Sequence, residues 1–393
     1  MMGKVKTFNM VSRYNFPLLA FFYIIAGSAY AQNDKPSVLN IGDAAPSLRV
    51  HEWIKGTPVQ KLEKGKVYVL EFWATWCGPC KAAMPHLSAL ARAYKDKVTV
   101  IGVDIYEQKT TSIKKIKAFV DSMGQRMDYN VATEDTDFTV ADWIEATGEK
   151  NMGIPRTFVV DGEGRLAWIG HPCELEDALS KIVNHTWDIN EALDKRNLEF
   201  RLRNLDDSSA YELDYAPNGD LRSDSWKRDS GLLLIDAIAK TEPLVKFTPG
   251  IANRIFSILL KTNMKKAYEY GKKVIETTTY EKPAGFIIRG DIEYFSDSIN
   301  LTSEIYQLGI DAIQVEINDA LSCYPEIQNI YKHYYEMAEW YWRIGNKSKA
   351  IEAQEKAIET LKSKKGFSTK ELAAYESRLD QYNSMKPESG DIN

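Results

Sequence analysis

The stretch Val67-Tyr68-Val69-Leu70-Glu71-Phe72-Trp73-Ala74-Thr75-Trp76-Cys77-Gly78-Pro79-Cys80 sets two cysteines three apart, soon after an apolar run. The run Val67–Phe72 reads as a strand, so the cysteines fall at a strand-to-helix turn, with one sulfur at the helix N-terminus and the other one turn inside. Unpaired backbone N–H groups and the helix macrodipole favour negative charge at that end, and Cys77 is expected to ionise below the free-thiol value of about 8.5. Cys77 is then the attacking thiolate. Cys80, deeper and on the same face, is placed to attack the mixed disulfide that Cys77 forms with a substrate and so to release it.

A Cys-x-x-Cys pair is also half of many structural zinc sites, which need a second pair or a Cys/His group at ligand spacing. Cys173 and Cys323 are isolated, and none of the five histidines forms a metal-spaced pair. No metal is therefore expected, and a redox dithiol is preferred to an inert disulfide. Peroxidase chemistry of the peroxiredoxin kind fits less well, because its Thr-x-x-Cys does not match Thr75-Trp76-Cys77.

Five positions together resemble the thioredoxin superfamily and, within it, the TlpA/ResA-like disulfide reductases exported from the bacterial cytoplasm. Glu71 to Lys81 looks like the family's active-site strand and turn. Pro85 sits five after Cys80, where thioredoxins kink the first helix. Ile154-Pro155 precedes the apolar strand Thr157–Asp161, where the family holds a cis-proline facing the dithiol. Gly170, after Leu166–Ile169, matches the glycine that closes the substrate groove, and Gly42-Asp43-Ala44-Ala45-Pro46 is similar to the opening of TlpA-like and peroxiredoxin-like domains. The resemblance covers roughly residues 38–186. Arg156 departs from the small polar residue common after that proline.

The resemblance implies a substrate surface formed by Trp76, Gly78, Pro79, Ile154, Pro155 and Gly170, with Ile154 as the docking edge. A cis X-Pro bond costs only about 0.5–1 kcal/mol over trans and presents the preceding backbone without a proline N–H in the way. Glu71, six residues before Cys77, would point from a central strand towards the buried sulfur, with a pKa raised by desolvation, and would shuttle the proton of Cys80. The competing reading makes Glu71 a solvent-facing residue, since alternation through Tyr68, Leu70 and Phe72 puts it on the opposite face.

The 393 residues exceed one thioredoxin unit, and a net charge of −5 without Lys/Arg clusters interleaved with aromatics argues against nucleic acid as a partner. Lys4, Lys6 and Arg13 precede the apolar run Phe16–Ala26, and Ala29-Tyr30-Ala31 reads as a cleavage site. Residues 1–31 are thus expected to be a signal peptide directing the chain to the periplasm or outside the cell, with an uncleaved membrane anchor as the alternative. The expected organisation continues with a thioredoxin-like domain at 32–186, a connecting region at 187–231, a helical repeat-like domain at 232–385 and a tail at 386–393.

The predicted strands are Val67–Phe72, Val98–Asp104, Thr157–Asp161 and Leu166–Gly170, the last two joined as a hairpin through Gly162-Glu163-Gly164. Ile113, Ile116, Phe119, Val120 and Met123 recur at helical spacing. Trp143 in the long stretch Asp128–Lys150 is read as core, with a substrate-facing elaboration as the alternative. Asp206–Ser230 is polar with little apolar periodicity and reads as a connection. Leu232–Ala239, Ile251–Leu260, Ala267–Ile275, Leu301–Ile317 and Ile327–Leu361 look helical, and Ala338, Tyr341, Gly345, Ala350 and Ala357 fall at the offsets of a tetratricopeptide repeat. The fold class expected is an α/β thioredoxin fold, a central mixed sheet flanked by helices, followed by an all-α tetratricopeptide-like domain. The aromatic run Tyr331, Tyr334, Tyr335, Trp340, Tyr341, Trp342 is read as inter-helix packing, with a partner groove as the alternative.

Two functions follow from these readings. One is an exported thiol:disulfide oxidoreductase reducing client proteins through Cys77 and Cys80, with isomerase or oxidase as the other directions. The second is an interaction protein in which the helices bind a partner and the dithiol is inert or senses redox state. No nicotinamide or flavin fingerprint is present, so no cofactor is expected and electrons must come from outside the chain. The family resemblance implies a membrane thiol reductase as donor. Cys173 and Cys323 would need Cα atoms within about 7 Å to pair, and their separation in sequence leaves that open.

Overall fold

The computed structural model describes residues 38–134, 139–149, 153–280, 284–323, 329–364 and 366–386, with the side chains of Ser322 and Cys323 outside that set. The expected signal peptide and most of the expected tail lie outside the described residues.

A six-stranded mixed sheet carries the first half of the chain, in the order β1-β4-β3-β2-β5-β6. The strands are β1 (Glu52–Lys55), β2 (Val67–Trp73), β3 (Val98–Asp104), β4 (Asn130–Thr133), β5 (Arg156–Val160) and β6 (Leu166–Gly170). Central β2 runs parallel to β3 and antiparallel to β5, with Glu71 opposite Gly102 on one side and Thr157 on the other. All but its first residue are buried. A strand covered on both faces reads as a continuous apolar run rather than an alternation, which is what Val67–Phe72 shows.

The two faces have different covers. Val69 and Trp73 join Met84 and Leu87 of helix α1 (Gly78–Ala93), Ile116 and Val120 of α2 (Ile113–Met123), and Leu175 and Leu179 of α3 (Leu175–Val183) in one core. Tyr68, Leu70 and Phe72 face the other side, where Phe158 lies edge-on to both Phe72 and Trp143, with ring centroids 5.4 and 5.5 Å apart. Trp143 is fully buried there. Such edge-to-face pairs add to the area that the rings bury. The predicted hairpin forms, with Asp161 accepting from the backbone N–H groups of Glu163 and Arg165, and Gly164 taking the positive φ that the turn needs.

Where the sequence suggests a polar connection, the structure has a helix. Helix α4 (Ile189–Asp214) is 26 residues long and starts at Asp188, whose carboxylate accepts from the N–H groups of Asn190 and Glu191. Its buried positions are Ala192, Arg196, Leu202, Asp206, Ser209 and Leu213. Three of the six are polar, and that is why apolar periodicity misses it. The first turns complete the Phe158 side of the sheet through Ala192 and Leu193, while Leu202 and Leu213 join Ile235, Val245, Ile251 and Ile255 in a separate core. Buried Asp206 accepts from Thr248 Oγ1, Gly250 N, Ile251 N and Tyr280 Oη, which fixes α4 to the start of helix Pro249–Thr262.

From Leu232 onward the described chain is helical. Ile330–Arg343 and Lys347–Ser363 form an antiparallel pair around Gly345, which has φ 77°, and Asn346, which caps the second helix. Ala338, Ala350 and Ala357 are fully buried, where small residues allow close approach of helices. Tyr331, Trp340 and Trp342 are also buried, in agreement with the packing reading of the aromatic run. Among the described residues no helix is long and apolar enough to cross a membrane.

Candidate active site

Helix α1 begins where the sequence places it. Cys77 is the N-cap, its backbone extended at φ −73° and ψ 105°, and its sulfur accepts the N–H of Cys80 at 3.1 Å. Pro79 lies in the first turn, where its missing N–H has no helical partner to lose, and Pro85 sits within the helix. Cys77 and Cys80 form a disulfide, with Cα atoms 5.3 Å apart. Both cysteines are buried, whereas Trp76, Gly78 and Pro79 around them are exposed.

The Ile154–Pro155 peptide bond is cis. The carbonyl oxygen of Ile154 lies 3.6 Å from Cys77 Sγ, so the loop before β5 faces the disulfide directly. Pro155 is buried and Ile154 half-buried. Gly170 ends β6 opposite Thr157, and a side chain there would collide with the Trp168 ring at 2.4 Å. The close passage of Trp168 is thus a packing reason for this glycine.

Glu71 is buried, which overturns the solvent-facing alternative: both faces of β2 are covered, so alternation does not lead to water. It shares the face of Val69 and Trp73, the side whose core includes Cys77 and Cys80. One carboxyl oxygen accepts the hydroxyl of Thr157, while the other has no hydrogen-bond partner among the described residues. Burial pushes this carboxyl up to about 8, against the opposing pull of the Thr157 hydroxyl and the Arg156 charge. Such a group can hold or give up a proton near neutral pH.

An acidic pair escapes the sequence reading. Asp104 ends β3 in register with Trp73 and is buried, and burial followed by the charge and hydrogen bond of Glu107 raises its carboxyl to about 9. Glu107 Oε1 accepts the Thr75 N–H at 2.5 Å, and Trp76 Nε1 donates to the Tyr106 carbonyl at 2.9 Å. Tyr106 adopts φ 58°, uncommon for a residue with a side chain. The segment after β3 therefore holds the residues that lead into Cys77. The signal available in sequence was two acids, three apart, directly after a buried strand.

Arg156, the departure after the cis-proline, does not stand free: its Nη2 meets Glu149 Oε2 at 2.6 Å.

The AhpC/TSA family profile matches residues 41–169. Protein FixW of Rhizobium leguminosarum is 30% identical over 155 residues, covering 38% of this chain and 69% of FixW. Thiol-disulfide oxidoreductase ResA of Oceanobacillus iheyensis is 32% identical over 107 residues, 26% of this chain and 56% of ResA, so the match spans just over half of that relative. Thiol:disulfide interchange protein HelX of Rhodobacter capsulatus is 30% identical over 176 residues, 43% of this chain and 91% of HelX.

Proposed function

The chain belongs to the thioredoxin-like thiol:disulfide oxidoreductases, and from that premise we propose that it acts outside the cytoplasm as a reductase of client-protein disulfides. The observation that carries this reading is the Cys77–Cys80 pair at the start of α1, opposite the Ile154 carbonyl, with buried Glu71 on the same face of the sheet.

In the reduced state the Cys77 thiolate, favoured by the N–H groups of the first turn, attacks a client disulfide and expels one client thiolate. A client strand docks along Ile154 and Pro155, with Trp76, Gly78 and Pro79 as the exposed rim and Gly170 at the far edge. Glu71 takes the proton of Cys80, whose thiolate attacks the Cys77 sulfur. That closes the Cys77–Cys80 disulfide and releases the second client thiolate, which is protonated. Two electrons pass from the dithiol to the client. They are restored by an external dithiol donor, a membrane thiol reductase, in keeping with the exported location that residues 1–31 suggest.

In this reading the helical half, from about residue 232, recruits a protein partner through its tetratricopeptide-like helices, and the dithiol chemistry belongs to the sheet half. Trapping tests the roles of the sulfurs. Cys80→Ser should accumulate mixed disulfides through Cys77, and Cys77→Ser should not. Trapping through Cys80 alone would reverse the assignment.

A further inference from the structure

Helix α4 reaches the docking loop through two ion pairs. Arg196 Nη2 meets Glu149 Oε1 at 2.6 Å, and Glu149 Oε2 meets Arg156 Nη2 at 2.6 Å, so each oxygen of one carboxylate holds one guanidinium. The Glu149 side chain is only 6% exposed and that of Arg196 only 10%. Charges this well shielded are weakly screened: removing Arg196 leaves one oxygen of the buried Glu149 carboxylate without its partner, and removing Glu149 leaves two guanidinium groups without a counter-charge between them. Arg156 immediately follows cis-Pro155, and Ile154 presents its carbonyl to Cys77. Two further ties fix α4 itself. Asn197 accepts from Asn40 Nδ2 at 2.9 Å, and Ala192, one turn before Arg196, packs on the sheet.

We propose that Arg196 is a positioning residue for the client-docking loop: acting through Glu149 and Arg156, it fixes the Ile154–Pro155 backbone opposite Cys77. The long helix that follows the sheet thereby sets the geometry at the dithiol. The inference rests on the reading of Ile154 and Pro155 as the docking edge. It accounts for an arginine where a small polar residue would suffice for docking alone, because Arg156 is the loop's end of the tie.

The test compares the full-length wild type with Arg196→Met, Arg196→Lys and Glu149→Gln in the reduction of a disulfide-bonded peptide and of dithionitrobenzoate, a small disulfide that needs no docking strand. Arg196→Met should raise KM for the peptide by roughly five- to tenfold with kcat nearly unchanged, because loosened docking removes binding shared by ground and transition states. Arg196→Lys, which keeps a cation for Glu149, should recover most of the loss. Glu149→Gln breaks the same tie at its centre and should raise KM likewise, which keeps the test open should Arg196→Met fail to fold. An unchanged peptide KM in a folded Arg196→Met or Glu149→Gln protein overturns the inference and leaves the dithiol chemistry standing. Equal losses with both substrates and no KM change would make Arg196 a packing residue and also overturn it. If the wild type reduces dithionitrobenzoate but not the peptide, the docking-edge reading itself falls, and the inference with it.

Discussion

Glu71 and Thr157, opposite one another on β2 and β5, share a buried hydrogen bond, with the hydroxyl donating to the carboxyl group. This one bond does not offset the cost of burying the carboxylate, whose pKa is raised to about 8 from an ordinary 4.5. The folded state therefore holds a proton that the unfolded chain has already lost between those values. The Glu71 contribution is fully present below about pH 4.5 and is lost as pH rises through about 8.

Replacing Glu71 by Gln should flatten this part of the stability curve. In denaturant titrations of the oxidised protein, wild type should lose stability from pH 5 to 8.5 relative to Glu71→Gln, by roughly 2 kcal/mol or more, since each pKa unit is worth about 1.4 kcal/mol. Asp104→Asn should remove a further part of the slope, as Asp104 is raised to about 9. Parallel curves for wild type and Glu71→Gln would show that Glu71 titrates normally. The groups facing Glu71 are Thr157, the Arg156 charge and buried Tyr129, whose phenol it pushes up further.

Glu107 should matter to the turn more than to the chemistry. Glu107→Ala leaves the Thr75 N–H without its acceptor, a loss of about 1.5–3 kcal/mol for a hydrogen bond to a carboxylate. Alkylation of Cys77 in the reduced protein should also slow at fixed pH as the turn loosens. Unchanged stability and alkylation would show that the Trp76–Tyr106 contact is enough to hold it.

Cys173 bears on the relation between the two halves. It is disulfide-bonded, although the side chain of Cys323 lies outside the described residues. The helix Ser303–Cys323 touches the turn Pro172–Glu174. The sequence holds one further cysteine outside the active site, Cys323, and the pairing we expect is Cys173 with Cys323. Non-reducing peptide mapping should recover a Cys173–Cys323 peptide pair. Ready alkylation of both thiols in the native oxidised protein would contradict this.

The dithiol, its strand and the loop at Pro155 were legible because each is local: a cysteine spacing, an apolar run, a proline before a second run. Burial of Glu71 was not settled by alternation along β2, since Tyr68, Leu70 and Phe72 fill one core while Val69 and Trp73 fill another. Asp104 and Glu107 gain their meaning only from the pairing of β3 with β2, which no window of sequence contains. Helix α4 was hidden by its own buried face, where Arg196, Asp206 and Ser209 occupy positions that periodicity expects to be apolar. Strands β1 and β4, four residues each at one side of the sheet, are too short to show a period.

The central claim is that Cys77–Cys80 works as a reducing couple, and its equilibrium with a glutathione buffer tests this most directly. Full-length protein is equilibrated across a series of glutathione ratios, and the dithiol fraction is read by alkylation and mass. The account predicts a potential in the reducing range, nearer about −270 mV than about −180 mV, so that electrons flow from Cys77 and Cys80 to client disulfides. A value near about −120 mV would mean a couple that takes electrons from clients, and would contradict it.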